Sequence, residues 1–295
     1  MSVMSDPFWN GVSQSIEKAL GQSFRGSSIE STGGGCINRT VRFGDPAGHS
    51  FFVKVNDASL LPMFETEALG LNQIARTGCI RVPKPVCHGV YNEQAFLALE
   101  WVDLTSHGDW ALMGRQLAQL HRYDVGEEYG WEQNNFIGAT PQINRQSKDW
   151  VEFYVDRRLG EQIRLAESKG ARFPSWPELK CHLSQLLADH QVRPSLLHGD
   201  LWSGNAAFSL EGEPVIFDVA SYLGDRETDL AMTRLFGGFP EVFYNAYERE
   251  WPLEPGSRKR IELYNLYHIL NHYNLFGGHY VYQANQMIES LLGSD

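Results

Sequence analysis

Two carboxylates and one amide stand at spacings that suit phosphoryl transfer. Asp200 lies five residues before Asn205 in the segment 198–205, and Asp218 follows thirteen residues after Asn205. A carboxylate placed like Asp200 can take the proton of an attacking hydroxyl, while an amide and a second carboxylate can hold Mg²⁺ on the phosphates of ATP. The sequence therefore predicts that Asp200 is a catalytic base and that Asn205 and Asp218 are metal ligands.

The stretch between the two metal-ligand candidates predicts a β-hairpin. Two short apolar runs flank the turn sequence Glu211-Gly212-Glu213-Pro214. A turn centred between Glu211 and Gly212 would place Asn205 directly opposite Asp218, where two oxygen ligands can share one hard cation. The alternative is a polar loop in which these residues make only turn hydrogen bonds.

Three glycines and a cysteine lie between two strand-like runs near the N-terminus. Gly33, Gly34 and Gly35 precede Cys36, and Asn38 follows two positions later. We expect a hairpin whose tip approaches nucleotide phosphates, although the spacing is not that of a P-loop and a flexible turn has the same composition. Cys36 would then lie near anion-binding N–H groups, which lower a thiol pKa; an incidental small residue is the alternative.

One lysine and one glutamate are expected to pair near the phosphates. Lys54 is the single charge in the apolar run 51–55, where a strand lysine can reach phosphates; a lysine extending from an edge strand into solvent is the alternative. Glu67 falls on the apolar face of a helix predicted over 60–78, and a buried carboxylate needs a partner. Lys54 is the expected partner.

The strand predicted over 96–102 leads into the second half of the chain. In a two-lobed kinase such a strand becomes the linker whose backbone meets the adenine. We therefore expect Glu100 and Val102 to contact the nucleotide through main-chain atoms.

Composition restricts the class of protein. A chain of 295 residues can bury one large core or two lobes, and its net charge of -11 disfavours a nucleic-acid binder. The sequence shows no apolar run near the ~20 residues of a membrane span and no secretory signal pattern, so no membrane partner is expected. The four cysteines show neither C-x-x-C nor zinc spacing, which favours reduced thiols in the cytoplasm.

Helical patterns dominate beyond residue 101. His121 ends an apolar stripe and is interpreted as a core residue. Asp229 is expected to form hydrogen bonds with the backbone of the catalytic loop, residues 198–205. His268 and His272 are four residues apart on one helix face, which could ligate a metal. Because no acidic or cysteine partner has matching spacing, packing or substrate contact is the preferred interpretation.

Together these motifs resemble the fructosamine (ketosamine) kinase family, within the aminoglycoside phosphotransferase and protein-kinase-like superfamily. The loop His198-Gly199-Asp200-Leu201-Trp202-Ser203-Gly204-Asn205 alone specifies only the superfamily. The narrower resemblance runs from about residue 8 to residue 290. It rests on four further stretches, namely 33–38, 81–85, 224–232, and 267–272 with 276–278.

The resemblance implies phosphorylation of the 3-hydroxyl of ketosamines, the sugar adducts that glycation forms on amines, and so a role in their removal. Bacterial and plant members are described as preferring ribulosamines and erythrulosamines to fructosamines. The resemblance also links Cys36 to redox-sensitive dimerisation. Val219 and Leu223 replace the family's usual Pro and Tyr beside the expected substrate pocket, so they bear on substrate preference rather than on the chemistry.

We therefore expect an α+β, protein-kinase-like fold with a small β-rich nucleotide-binding lobe over residues 1–100 and a larger helical, catalytic and substrate-binding lobe over residues 101–295. The expected activity is an ATP- and Mg²⁺-dependent kinase of free or protein-bound ketosamines, acting as a monomer or homodimer. Trp202, Asp200 and His268 are expected beside the sugar.

Two alternatives stay open. A kinase of another small hydroxyl compound, such as an aminoglycoside or a choline-like amine, would need the same machinery. A nucleotide-binding pseudokinase is disfavoured because Lys54, Asp200, Asn205 and Asp218 are all present.

Overall fold

Five antiparallel strands build the N-terminal part of the protein, of which a computed structural model describes residues 6–33, 37–187 and 190–293. The strands are ordered β1-β2-β3-β5-β4 in the sheet. Their bounds are β1 (Ser28–Ser31), β2 (Arg39–Gly44), β3 (Ser50–Asp57), β4 (Pro85–Tyr91) and β5 (Gln94–Glu100).

One face of this sheet is covered by the first helix, α1 (Pro7–Leu20). Asp6 caps the helix by accepting a hydrogen bond from the N–H of Phe8 (2.9 Å), and Pro7 occupies the first turn. The α1 side chains pack on Val53 and Val55 of β3. Because side chains alternate along a strand, the residue between these two valines faces the other side of the sheet.

The opposite face is covered by α2 (Leu61–Thr77), which buries Phe64 and Leu71 against the sheet. Leu97 and Leu99 of β5 belong to the same apolar cluster, which continues into the second half of the chain through the residues Met113, Leu117, Leu201, Phe208 and Ile216. This apolar cluster contains residues from before and after residue 100. The domain boundary predicted there therefore stays a prediction.

Helices and short strands form the C-terminal part. The helices are α3 (Trp110–Arg122), α4 (Trp150–Tyr154), α5 (Glu161–Ser168), α6 (Trp176–Leu186), α7 (Glu227–Arg234), α8 (Glu241–Glu250), α9 (Ser257–Phe276) and α10 (Tyr280–Leu292). The strands are β6 (Leu104–Thr105), β7 (Asn135–Ile137), β8 (Thr140–Gln142), β9 (Ser195–Leu196), β10 (Ala206–Ser209), β11 (Pro214–Ile216) and β12 (Leu223–Gly224). They form small sheets of β11-β10-β6, β12-β9 and β7-β8.

Two helical segments differ in detail from a regular helix. Between α4 and α5 the backbone takes the π-helical form over Val155–Gly160. The last aromatic segment is divided into α9 and α10 by Gly277 and Gly278, which both have positive φ angles. Among the described residues, no helix is long and apolar enough to cross a membrane.

Candidate active site

A buried lysine joins the sheet, α2 and the end of a distant hairpin. Lys54 lies on the α2 side of β3, and its Nζ is 2.6 Å from Oε1 of Glu67 and 2.5 Å from Oδ1 of Asp218. The pair expected between Lys54 and Glu67 is therefore present, and both side chains are buried. Asp218 is different, because 41% of its side chain is exposed and can meet a ligand.

Burial and charge act in opposite directions on this lysine. Burial alone would lower the pKa of Lys54, but the negative charges of Asp218 and Glu67 outweigh it and raise the pKa. The lysine therefore stays protonated at neutral pH and supplies a fixed positive charge to the site.

The hairpin before Asp218 has a register different from the predicted one. Ala206 pairs with Ile216, and the N–H of Phe217 donates to the C=O of Asn205 (3.1 Å). Asn205 thus lies opposite Phe217, and the prediction that it lies opposite Asp218 was wrong.

A three-residue turn explains the difference. The N–H of Ser209 donates to the C=O of Glu213 (2.9 Å), and the loop between them ends with Gly212 at φ 87°. Three-residue hairpin loops use such a left-handed residue, whereas the predicted centre assumed a two-residue turn. Asp218 then turns the chain at φ 60°, a conformation that is uncommon for a residue other than glycine.

Asp200 and Asn205 are linked directly within the loop between β9 and β10. The side-chain Nδ2 of Asn205 donates to the C=O of Asp200 (2.8 Å) and lies 3.4 Å from its carboxylate Oδ2. Because the amide nitrogen is used in this way, the amide oxygen is the atom of Asn205 that could bind a cation.

Asp229 holds the backbone of that loop, as the sequence analysis expected. Its carboxylate accepts hydrogen bonds from the N–H of His198 (2.7 Å) and of Gly199 (2.8 Å). His121, which was interpreted as a core residue, is fully buried and lies 3.1 Å from the same carboxylate. Asp229 thus positions the backbone of the residues that precede Asp200.

The same loop is fastened to the segment that carries Asp218. Nε2 of His198 donates to the C=O of Phe217 (2.8 Å), and the N–H of Ala220 donates to the C=O of His198 (2.8 Å). Gly199 has φ 84°, and a Cβ atom there would lie 2.1 Å from the carbonyl oxygen of Ala220. Only glycine fits this close approach, which fixes the two halves of the site relative to each other.

Three carboxylates near one another change the pKa of Asp200. Burial and the negative charges of Asp218 and Asp229 raise this pKa from 3.8 to about 7, despite the hydrogen bond from Asn205. A carboxylate with a pKa near neutral is suited to accept a proton from a substrate hydroxyl.

Of the nucleotide-binding candidates predicted between residues 33 and 38, only Gly33 and Asn38 lie among the described residues. Asn38 Oδ1 accepts a hydrogen bond from Asn56 (2.8 Å), which ties the residue before β2 to the end of β3. Gly33 lies just beyond β1, whereas Gly34, Gly35 and Cys36 lie outside the described residues.

Strand β5, which leads to the predicted linker, ends at Glu100, and the side chain of Glu100 already forms hydrogen bonds within the protein. Its carboxylate bonds to Arg81 (3.0 Å) and to the N–H of Lys84 (3.3 Å). A contact between Glu100 and a nucleotide would therefore have to use the backbone. The contact itself, like that of Val102, stays a prediction.

Aromatic rings and a histidine lie beyond Asp200. The Trp202 ring is 6.3 Å from the ring of Phe236, and Ser203 Oγ is 3.5 Å from the C=O of Phe236. His268 is buried, burial lowers its pKa to about 3, and its Nδ1 has no hydrogen-bond partner in the described part of the chain. Phe236 was not predicted from the sequence; its local signal is a Phe-Gly-Gly sequence at 236–238, which is repeated at 276–278.

Known proteins resemble this chain over nearly its whole length. A profile of the fructosamine kinase family matches residues 8–294. The chain is 47% identical over 294 residues to a probable ketoamine kinase of Synechocystis sp., covering 99% of both chains. It is 43% identical over 278 residues to a chloroplastic protein-ribulosamine 3-kinase of Arabidopsis thaliana, covering 92% of this chain and 85% of the relative.

Solved structures agree. A Haemophilus somnus protein with a provisional fructosamine-3-kinase designation has a TM-score of 0.91 at 28% identity, covering 98% of this chain and 99% of its own. A thermostable mutant of an aminoglycoside phosphotransferase has a TM-score of 0.62 at 14% identity, covering 96% and 100%, and shows the fold alone. The fold is therefore an α+β, protein-kinase-like fold. Within it, the chain belongs to the fructosamine kinase family.

Proposed function

We propose that the protein is an ATP-dependent kinase that phosphorylates the 3-hydroxyl of ketosamines, and so takes part in protein deglycation. The observation that carries the proposal is the convergence of Lys54, Asp200, Asn205 and Asp218 from three separate segments of the chain. The family assignment narrows the acceptor to a sugar hydroxyl of a glycated amine.

Asp200 is the proposed catalytic base. It orients the acceptor hydroxyl and takes its proton as the oxygen attacks. The carboxylate is half-buried, its loop is held by Asp229, and its pKa of about 7 balances basicity against the fraction ionised at neutral pH.

Asn205 and Asp218 fit a magnesium ion. They offer an amide oxygen and a carboxylate, which are the oxygen donors that this hard cation prefers. A divalent cation there would also offset the repulsion that raises the pKa of Asp200. When bound, ATP supplies the phosphoryl group and Mg²⁺ neutralises charge on the phosphates. Lys54, positioned by Glu67, would bind phosphate oxygens.

A ketosamine acceptor follows from the relatives. Proteins at 47% and 43% identity are named ketoamine kinase and protein-ribulosamine 3-kinase. Trp202 would form a wall of the sugar site because it stands two residues from Asp200. His268 would stay neutral there, so it could exchange a hydrogen bond with a sugar hydroxyl.

The remaining expectations concern assembly and location. A monomer or homodimer, redox control through Cys36 and a cytoplasmic location stay predictions that rest on the resemblance and the composition. Replacing Cys36 with Ser should abolish any disulfide dimer on a non-reducing gel together with the oxidant sensitivity of activity. An unchanged dimer and unchanged sensitivity would exclude this control.

An acceptor panel tests the proposed function. Purified protein with MgATP should phosphorylate ribulosyl-lysine and fructosyl-lysine, with the new phosphate on the 3-oxygen by ³¹P and ¹H NMR. The Asp200→Asn variant is the control for contaminating kinases. Turnover of choline or an aminoglycoside, with none of ketosamines, would favour the other small-molecule kinases. ATP binding without transfer to any acceptor would favour a pseudokinase.

A further inference from the structure

Five aromatic side chains form a continuous strip that begins two residues from Asp200. We call the rings of Trp202, Phe236, His272, Phe276 and Tyr280 the aromatic strip. Neighbouring centroids are 6.3 Å apart for Trp202 and Phe236, 4.6 Å for Phe236 and His272, 5.8 Å for His272 and Phe276, and 5.3 Å for His272 and Tyr280. Phe236 and Phe276 are 38% and 53% exposed, which is unusual for phenylalanine.

Two glycine turns place these phenylalanines. Phe236 is followed by Gly237 and Gly238, and Phe276 by Gly277 and Gly278, and all four glycines have positive φ. Phe236 itself has φ 53°, which is an outlier for a bulky side chain and costs free energy. The chain thus bears strain at a partly exposed ring beside the proposed catalytic loop. Strain at such a place is typical of binding sites.

The strip is electrically suited to a cation. Ring faces attract positive charge. His272 lies at its centre, and burial lowers the pKa of His272, so the ring is neutral at pH 7 and does not repel a cation. His268, one helical turn earlier on α9, is neutral for the same reason. The net charge of -11 also favours a cationic ligand over an anionic one.

We propose that the aromatic strip binds the protonated amine side of the ketosamine, so that the protein selects acceptors whose sugar carries a cationic nitrogen. This inference rests on the proposed function. The sugar hydroxyl then lies at Asp200, the ring of Trp202 lies beside the sugar, and the secondary ammonium and its alkyl chain extend over Phe236 and His272. Phe236 and His272 become specificity-determining residues.

Two acceptors that differ in one atom isolate the charge. The first is 1-deoxy-1-butylamino-ribulose, whose nitrogen is protonated near neutral pH. The second is 1-O-butyl-ribulose, whose ether oxygen is neutral. The wild-type protein should prefer the amine by about tenfold in kcat/KM, as expected for a cation over aromatic rings. Phe236→Ala should remove most of this preference through a higher KM for the amine, with kcat nearly unchanged.

His272→Lys provides the converse test. A fixed positive charge at the centre of the strip should raise the KM for the amine about tenfold and change the KM for the ether less than twofold. Tyr282→Ala is the matched control, because Tyr282 is an exposed aromatic residue on the same helix as Tyr280 and its ring is not part of the strip. Melting temperatures of all variants check that they fold.

The outcomes separate the inference from the proposed function. Equal use of amine and ether by the wild-type protein would overturn the inference alone, and so would equal losses for both acceptors in Phe236→Ala. A His272→Lys variant that affects both acceptors alike would also overturn it. Phosphorylation of neither acceptor, nor of any other ketosamine, would overturn the proposed function and the inference with it.

Discussion

Two buried clusters of charged side chains behave in opposite ways. The catalytic cluster, defined by Lys54, Glu67, Asp200, Asp218 and Asp229, sets four carboxylates against one ammonium group. Its imbalance is visible in Asp200, whose pKa rises to about 7 because of burial and the neighbouring negative charges. The exposed part of Asp218 leaves this cluster open to a ligand.

The second cluster, at the start of α7, is closer to charge balance, because it sets three carboxylates against one guanidinium and one imidazole. We call it the scaffold cluster; its residues are His190, Asp225, Glu227, Glu254 and Arg260. Arg260 donates to both oxygens of Glu227 at 2.7 and 2.8 Å, and His190 bonds to Asp225 at 2.6 Å and Glu254 at 2.7 Å. Burial would raise the pKa of Asp225, but the hydrogen bond and charge of His190 outweigh it and lower this pKa.

The difference teaches which buried charges serve function. In the scaffold cluster, each carboxylate has a cationic partner within the protein, so removing one member of a pair leaves an uncompensated buried charge. In the catalytic cluster the protein supplies too little positive charge to neutralise the carboxylates. A bound cation and a proton from the substrate would supply the rest. Matched carboxylate-to-amide substitutions in the two clusters should therefore have opposite effects on activity and stability.

The largest expected effect is the loss of activity in Asp200→Asn. Removal of the proposed base should lower kcat by about 10²- to 10⁴-fold, while ATP still binds. Urea unfolding should show no loss of stability at pH 7, because the removed carboxylate is repelled by Asp218 and Asp229. Near-wild-type turnover would exclude the assigned role, and a large loss of stability would contradict the view of an unbalanced cluster.

Glu227→Gln is the matched substitution in the scaffold cluster. Breaking its buried pair with Arg260 should lower the free energy of unfolding by about 3 kcal/mol, because an uncompensated guanidinium is left inside. The kcat of the folded fraction should change little. Asp156→Asn, which removes an exposed pair with Lys180, should cost less than about 1 kcal/mol. If both substitutions cost the same, breaking the buried pair of Glu227 and Arg260 is no more destabilising than breaking an exposed pair, and the assigned role of the scaffold cluster is wrong.

Sequence patterns could predict the pairing inside the catalytic cluster but not its final geometry. Lys54 and Glu67 were assigned correctly because strand alternation and helical periodicity determine which way a side chain faces. The predicted pairing of Asn205 with Asp218 was wrong, because the hairpin has a three-residue turn with Gly212 in the left-handed conformation, whereas the prediction assumed a two-residue turn. Local sequence does not decide between them.

Contacts between distant segments were harder still to predict. The contact between the rings of Phe236 and His272 joins a loop to the C-terminal part of α9, and no periodic sequence pattern relates the two residues. The balance of the scaffold cluster likewise depends on residues from three separate segments, 190, 225–227 and 254–260. Such contacts are products of tertiary packing. Only the repeated Phe-Gly-Gly sequence gave a local signal.

A smaller effect should appear in the pH dependence of activity. If Asp200 is the base, kcat/KM for MgATP, which reports ionisations of the enzyme before the cation binds, should rise with pH and level off above an apparent pKa near 7, because the carboxylate must be ionised to accept a proton. An unperturbed aspartate would give a profile already flat above about pH 5. The neutral ether acceptor is used as the control, because it has no nitrogen that ionises in this range. A profile of kcat/KM that is flat from pH 5 to 8 with this acceptor would contradict the raised pKa of Asp200.

The smallest effect concerns stability at alkaline pH. Burial would lower the pKa of His190, but Asp225 and Glu254 outweigh it and raise this pKa above 6.5, and Glu227 adds to the effect. The contribution of His190 to stability is therefore complete below pH 6.5 and is lost as pH rises through the raised value. Chemical unfolding of wild-type protein and His190→Gln between pH 6 and 9 should show the difference in stability shrinking as pH rises. A difference that grows or stays constant would mean that His190 is neutral in the folded state, and that the scaffold cluster lacks the positive charge that distinguishes it from the catalytic cluster.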